Sequence, residues 1–193
     1  MLFWQKEARP KIITPRRQKL PESYEFTSNT DPLQVNTSFS FETSSGNRYS
    51  IIFIEAIKVM DFLDDFPGLS NAIYVIVDNT FQNGNLGFDA RIGITIITII
   101  KHYLEEVDLN SILVFDCFVE DEKQIQRHNK FDRWYRQYAM DMEFVKLDEE
   151  IIAPQGSIYV PTFISILYRM AHPRKEYIPL ELGKLRQLMK AAK

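Results

Sequence analysis

Phe88-Asp89-Ala90-Arg91-Ile92-Gly93-Ile94-Thr95-Ile96-Ile97-Thr98-Ile99-Ile100 decides the fold, because it can be read as strand or as helix. Ile92, Ile94, Thr95, Ile96, Ile97, Thr98, Ile99 and Ile100 are β-branched, which favours a strand. The periodicity says otherwise. Ile92, Ile96, Ile99, Ile100, Tyr103, Leu104 and Val107 recur on one helical face, while Lys101, His102, Glu105 and Glu106 fill the opposite one. The run is also much longer than the usual strand of about 5–6 residues. Asp89 stands where an N-cap belongs, its carboxylate able to accept from the free N–H groups of a first turn. The spacing therefore predicts a helix over 89–107, with Ile94 and Ile97 widening its apolar stripe so that more than one side is buried.

Working outward, Ser111–Phe118 (SILVFDCF) is short and apolar and reads as a buried strand. Glu120, Asp121 and Glu122 then open a second helix, predicted over 121–138, where acids suit the positive end of the helix dipole. Ile125, Phe131, Trp134, Tyr135 and Tyr138 form its inner side, and Lys123, Arg127 and Lys130 line up at i, i+4 and i+7. Before the deciding stretch, Thr37–Thr43 alternates strictly, Ser44-Ser45-Gly46-Asn47 is a turn, and Arg48–Glu55 is the partner strand of a hairpin. Ser23–Thr27 is a candidate first strand and Ala72–Asp78 a further one. After the second helix, Glu143–Leu147 and Ser157–Val160 read as strands, with Pro161 ending the latter. Phe163, Ile166, Leu167 and Met170 are helix-spaced, and Pro179 begins a last helix with Leu182, Leu185, Leu188 and Met189 on one face. The fold class expected is α+β: a mainly antiparallel sheet, two long helices packed on it, and a helical C-terminus.

The 193 residues suit one domain at 23–173, with an extended basic arm at 1–22 and a basic helix at 174–193. Residues 1–22 hold six Lys and Arg against two acids, and 169–193 hold seven against two; the middle holds ten against 22, for a net charge of −3. Basic ends on an acidic body keep a protein soluble or grip an acidic partner, and the acidic middle argues against nucleic acid. Leu2, Phe3 and Trp4 are a candidate anchor at the arm's tip. A single cysteine excludes an intrachain disulfide and a cysteine-rich zinc site, and three scattered histidines argue against a histidine-rich one. Asp61, Asp64 and Asp65 lack the spacing of an EF-hand loop and read as a solvated connector, so no metal is expected. The longest apolar run is short of the about 20 residues that span a membrane, and the N-terminus lacks the order of a signal peptide; a cytoplasmic protein is expected.

Two resemblances follow from the order of these features. Phe39-x-Phe41-x-Thr43-x-x-Gly46-x-x-Tyr49, then Asp89-x-Arg91-Ile92-x-x-Thr95-Ile96, a strand ending near Asp116, and Arg127-x-x-x-Phe131-x-x-Trp134-Tyr135 resemble a family of uncharacterised small bacterial proteins over about Tyr24–Pro173. The departure is an acidic Val119-Glu120-Asp121-Glu122 where a glycine-containing turn is usual. That resemblance implies a shared fold and a bacterial cytoplasmic setting. The succession hairpin, strand, loop, helix, strand, helix, strand is similar to that of GCN5-related N-acetyltransferases. In that family an Arg/Gln-x-x-Gly-x-Gly/Ala run before the long helix holds the pyrophosphate of acetyl-CoA. Here Gly84, Gly87, Arg91 and Gly93 lie near that place at a different spacing, and Asp89 occupies the helix start with a charge that repels phosphate. The resemblance implies an acyltransferase-like scaffold with a degenerate cofactor loop, with Gly84, Gly87 and Arg91 its cofactor-binding residues.

Two functional expectations result. The first is a non-catalytic interaction or regulatory module that meets another protein, or itself, through its terminal arms, without a cofactor. The alternative is an acetyl-CoA-dependent enzyme using the 80–87 loop. For a polar site the candidates are Asp89, Arg91, Asp116, Arg127 and His128, all near strand ends or helix starts, where ligand clefts of such domains form. Arg91 and Arg127 would fork onto the carboxylates or onto an anionic ligand. A structural ion pair of Asp116 with Arg127 or Arg91 is the competing reading. Cys117, in phase with apolar neighbours, reads as core, and His102 as solvated.

Overall fold

The computed structural model describes residues 21–30, 36–60, 63, 65–84, 88–117, 122–139, 143–155 and 158–191. The strands are β1 (Phe26–Thr30), β2 (Thr37–Glu42), β3 (Arg48–Glu55), β4 (Ala72–Phe81), β5 (Ile112–Asp116), β6 (Phe144–Gln155) and β7 (Ile158–Arg169). They form one sheet in the order β1-β2-β3-β4-β5-β7-β6. Every neighbouring pair is antiparallel except β4 and β5. Among the described residues the α-helices are α1 (Ala90–His102), α2 (Gln124–Tyr138) and α3 (Ile178–Ala191).

The deciding stretch is helical. Asp89 caps α1 by accepting from the Arg91 N–H at 2.9 Å, and a wider π-type turn carries the helix on through Tyr103–Val107. Its threonines fit because the Thr95 and Thr98 hydroxyls donate back to the Arg91 and Ile94 carbonyls at 2.7 and 2.9 Å. Burial of the isoleucine stripe outweighs their strand preference. Ile96, Ile97, Ile99, Ile100 and Leu104 pack with Phe39, Phe41, Ile51, Phe53, Val75, Leu113 and Phe115 of the sheet. The rings of Tyr103 and Phe53 stack 3.9 Å apart. Phe131, Trp134, Tyr135 and Tyr138 of α2 join the same cluster, so α1 and α2 share a face. The opposite face carries Tyr74, Ile112, Val114, Ile164, Ile166 and Tyr168 under α3 and the connector around Ala56–Leu69. Strand alternation explains the division: Leu113 and Phe115 point to the α1/α2 face, Ile112 and Val114 to the α3 face.

The hairpin forms with Gly46 at φ 79, the left-handed turn its sequence asks for. Other expectations need correction. The helix expected from Thr162 is β7, an inner strand whose Leu167 is buried on one face and Ile164, Ile166 and Tyr168 on the other. Burial on both sides removes the polar alternation of a strand, and the spacing of Phe163, Ile166, Leu167 and Met170 imitates a helix. Pro161 lies inside β7 rather than ending a strand. The Cys117 N–H donates to the Phe163 carbonyl, so backbone groups of odd-numbered residues face β5, and at Pro161 β5 has already ended. β6 runs through Asp148-Glu149-Glu150, charges an edge strand accommodates. β1 begins at Phe26 instead of Ser23, which leaves Tyr24 buried ahead of it. α2 begins at Gln124, because Glu122 takes a left-handed φ of 57 just before it. His102 packs against the Phe26 and Phe39 rings at 6.0 and 5.6 Å instead of standing in solvent. The arm's residues 1–20 and the acids Asp61, Asp64, Glu120 and Asp121 lie outside the described residues.

Candidate functional site

The parallel pair at the centre of the sheet positions the site. β4 and β5 pair only at Ala72–Ile112, Ile73–Leu113 and Tyr74–Val114. Beyond Tyr74 the strands part. β4 continues to Phe81 bonded to β3 alone, and Phe115 and Asp116 turn to Ser165 and Ile164 of β7. Among the described residues, one edge of β4 from Val75 to Phe81 is therefore unpaired with another strand. Because the strands are parallel, both lead into a helix at the same end of the sheet, the place where ligand crevices form in such folds.

The helices stand on either side of this fork. α1 lies over β1–β3, as its contacts with Phe26, Phe39 and Phe53 show. α2 lies over β5, β7 and β6: Phe131 meets Phe115 at 4.5 Å, His128 stacks on Phe163 at 4.1 Å, and Tyr135 Oη donates to the Phe144 carbonyl. β4 lies between them. Val75 is covered, whereas Val77, on the same face, is 41% exposed; a β-bulge turns Phe81, 53% exposed, to the other face beside Arg48. The helices meet where α1 has no side chain: a Cβ on Gly93 would lie 2.3 Å from Trp134 Nε1. Among the described residues, the parting of β4 from β5 between the two helices leaves Val77 exposed on the α1/α2 face.

Where the strands part, on the α3 face, Tyr74 Oη donates to Asp116 Oδ1 at 2.5 Å. Burial pushes the Asp116 carboxyl above its usual value, opposed by the Tyr74 hydrogen bond and the charge of Arg127. Burial and then the charge of Asp116 push Tyr74 up as well. The Cys117 thiol is raised to about 11, by burial first and Asp116 second. Cys117 is thus a buried, protonated core residue, while Asp116 is the group placed to exchange a proton.

The five predicted site residues are not brought to one place. Asp89 and Arg91 belong to a closed network with the N-terminal segment. Tyr24 Oη donates to Asp89 Oδ2 at 2.6 Å and accepts from the Ser44 N–H, and the Tyr24 N–H donates to Thr95. The Arg91 guanidinium lies 3.8 Å from the centre of the Tyr24 ring and donates to the Glu22 and Ser23 carbonyls, so it bonds to neither carboxylate. Asp116 is in phase with Ile112 and Val114 and points to the α3 face; Arg127 is its charged neighbour across the strand end. His128 stacks on Phe163, and its Nδ1 is buried without a hydrogen-bond partner. Gly84 has a left-handed φ of 61 with open space around it, and Gly87 lies outside the described residues.

Sequence reasoning passed over Tyr24, Tyr74 and Lys146. The Lys146 side chain is 2% exposed and ion-paired with Asp132 of α2 and with Asp148, which also accepts from Ser165 at 2.6 Å. The signal was its phase: Lys146 alternates with buried Phe144 on the face that α2 covers. Among the described residues no group of three His, Cys, Asp or Glu is placed to hold a metal ion, and no helix is long and apolar enough to cross a membrane.

Residues 88–172 match the model of a family of unknown function, DUF6169. The matched span runs from the residue before the α1 cap to the turn after β7, and so includes β5, α2 and the whole far half of the sheet. No curated protein and no solved structure matches the chain.

Proposed function

We propose that the protein is an acyltransferase-like domain whose β4–β5 fork takes the extended arm of an acyl thioester, with acetyl-CoA the simplest example. The observation that carries this reading is the parting of the parallel pair after three rows, which opens the β4 edge from Val75 to Phe81. A pantetheine arm is a narrow chain with two amides. It matches an open strand edge as an added strand does, its amides meeting backbone N–H and C=O groups while its methylenes lie on Val77. The thioester would then enter between the parted strands, where Tyr74 and Asp116 stand toward the α3 face. An attacking amine would form the new C–N bond there and give its proton to Asp116, the C–S bond would break, and the departing thiolate would take that proton from Asp116. A carboxylate of raised pKa suits the role of base. The setting proposed with it is a bacterial cytoplasm.

The test is calorimetry and thermal shift with acetyl-CoA and with S-acetylpantetheine, on the wild type and on Val77→Trp, which enlarges the side chain exposed where the strands part. The reading predicts binding of both ligands and its loss in the variant. Absence of heat and of any shift with either ligand would remove it.

A second reading, a non-catalytic interaction module, is favoured by one feature. Tyr177, Leu180 and Leu188 are exposed on one side of the α3 segment, while Ile178, Leu182 and Leu185 bury the other. The partner would be another protein or a second copy of the chain, without a cofactor. Sedimentation and pull-down with Leu180→Lys test it; partners and mass unchanged by the substitution would count against this face.

A further inference from the structure

Resting on the reading of the outer α3 face as an interaction surface, we infer that its partner is an acidic amphipathic helix that crosses α3 at Gly183. Ile178, Leu182 and Leu185 hold one side of α3 in the core, and the helical period fixes what stands on the other. Leu180, Lys184 and Leu188 follow one another at four-residue steps and form a ridge. Leu180 is 62% exposed, the Lys184 side chain 65% and Leu188 51%. Tyr177, also exposed, extends the apolar end: its carbonyl accepts from the Glu181 N–H, so it belongs to the first turn. Gly183 lies beside the ridge, and a Cβ built on it would meet nothing within 4 Å.

The shape of this face selects a helix. A ridge with a notch beside it is the surface into which the side-chain ridge of a second helix packs, and a residue without a Cβ lets the two axes come close. A flat bilayer would touch only the crest, where Lys184 stands between the two leucines, held to Glu181 at 2.9 Å. Charge selects the kind of helix. Residues 169–193 carry seven Lys and Arg against two acids, Glu176 and Glu181. Glu181 is buried and paired with Lys184, and Arg186 is answered by Glu149 of β6. Five cations of the segment then stand against Glu176. The α3 of a second copy would bring the same excess and be repelled, whereas glutamates flanking an apolar stripe would meet it with opposite charge.

The experiment is fluorescence anisotropy of the full chain with two labelled synthetic peptides. Both carry leucine at i, i+3, i+4 and i+7 spacing; one has glutamate at the remaining positions and the other lysine. The acidic peptide should bind, the basic one should not, and added salt should weaken the acidic one. Gly183→Leu should weaken it about tenfold or more by filling the notch, while the melting temperature holds or rises because leucine is the better helix former. Lys184→Glu should turn the preference toward the basic peptide. Equal binding of the two peptides, binding untouched by Gly183→Leu, or association with phosphatidylglycerol vesicles or with a second copy in place of the acidic peptide would overturn the inference. The reading beneath it is tested apart. If Leu180→Lys removes partners in the pull-down while the acidic peptide fails to bind the wild type, the interaction surface stands and the acidic helix falls. If Leu180→Lys changes neither partners nor mass nor peptide binding, the surface falls and the acidic helix with it.

Discussion

α1 and α2 start at the same end of the sheet, each following one strand of the same parallel pair, yet only the first is capped by its own N-cap side chain. The α1 start has an acid at the cap, a tyrosine hydroxyl on that acid, and an arginine folded back over the tyrosine. The α2 start has Lys123 at the cap without a side-chain bond to the first turn and a left-handed Glu122 before it. Helix N-termini attract anions by default through their free N–H groups. Here a carboxylate satisfies that end of α1, whereas the cap residue of α2 brings no side-chain acceptor to its first turn.

The largest effect is expected where α2 is anchored. Lys146→Met leaves Asp132 and Asp148 without their shared cation; because these acids are themselves partly exposed, the loss should be about 2–4 kcal/mol rather than that of a fully buried triad, read by urea denaturation. A loss below about 1 kcal/mol would mean that α2 is held by its aromatic side alone. Gly93→Val tests the helix contact. Its new side chain must displace the Trp134 ring, with a cost of about 1–3 kcal/mol and a shifted indole resonance. Asp89→Ala should cost about 1–2 kcal/mol by removing the cap and the Tyr24 bond. Asp89→Ser keeps a cap but drops the charge. If sodium pyrophosphate then shifts the Ala90–Gly93 amide resonances, the carboxylate charge alone was what closed that end.

The smallest effect is a pH dependence at the fork. The folded-state pKa of Asp116 lies above its ordinary value, so the protonated form is favoured by folding. That contribution is present at low pH and is lost as pH rises through the folded pKa. Asp116→Asn cannot ionise there, so its melting temperature should gain on the wild type as pH rises from the ordinary carboxylate range through the raised folded-state value. A difference that shrinks with rising pH would mean that the hydrogen bond from Tyr74 outweighs burial.

What could be read from the sequence was whatever one-sided burial writes into it. α1 was legible because a helix covered on one side keeps its period even through β-branched residues. The β2–β3 hairpin was legible for the same reason, with Phe39 and Phe41 alternating against polar neighbours. β7 was not, because a strand buried on both faces carries no alternation. At the site, the candidates were chosen by nearness to strand ends, which gives the edge of the sheet but not the face. The parity of Asp116 with Ile112 and Val114 already put it on the far face from Asp89. Tyr24 was hidden for another reason: its partners Ser44, Asp89 and Thr95 are distant in sequence, and only the fold brings them together.

The central claim is that the gap between β4 and β5 is a binding fork. Hydrogen–deuterium exchange of the full chain with and without saturating acetyl-CoA addresses it directly. The account predicts slower exchange in the open stretch Val75–Phe81 and in the β5 end at Phe115–Cys117, while the β1–β2 edge stays unchanged. Unaltered exchange at Val75–Phe81 when the ligand is bound, with protection elsewhere, would contradict it.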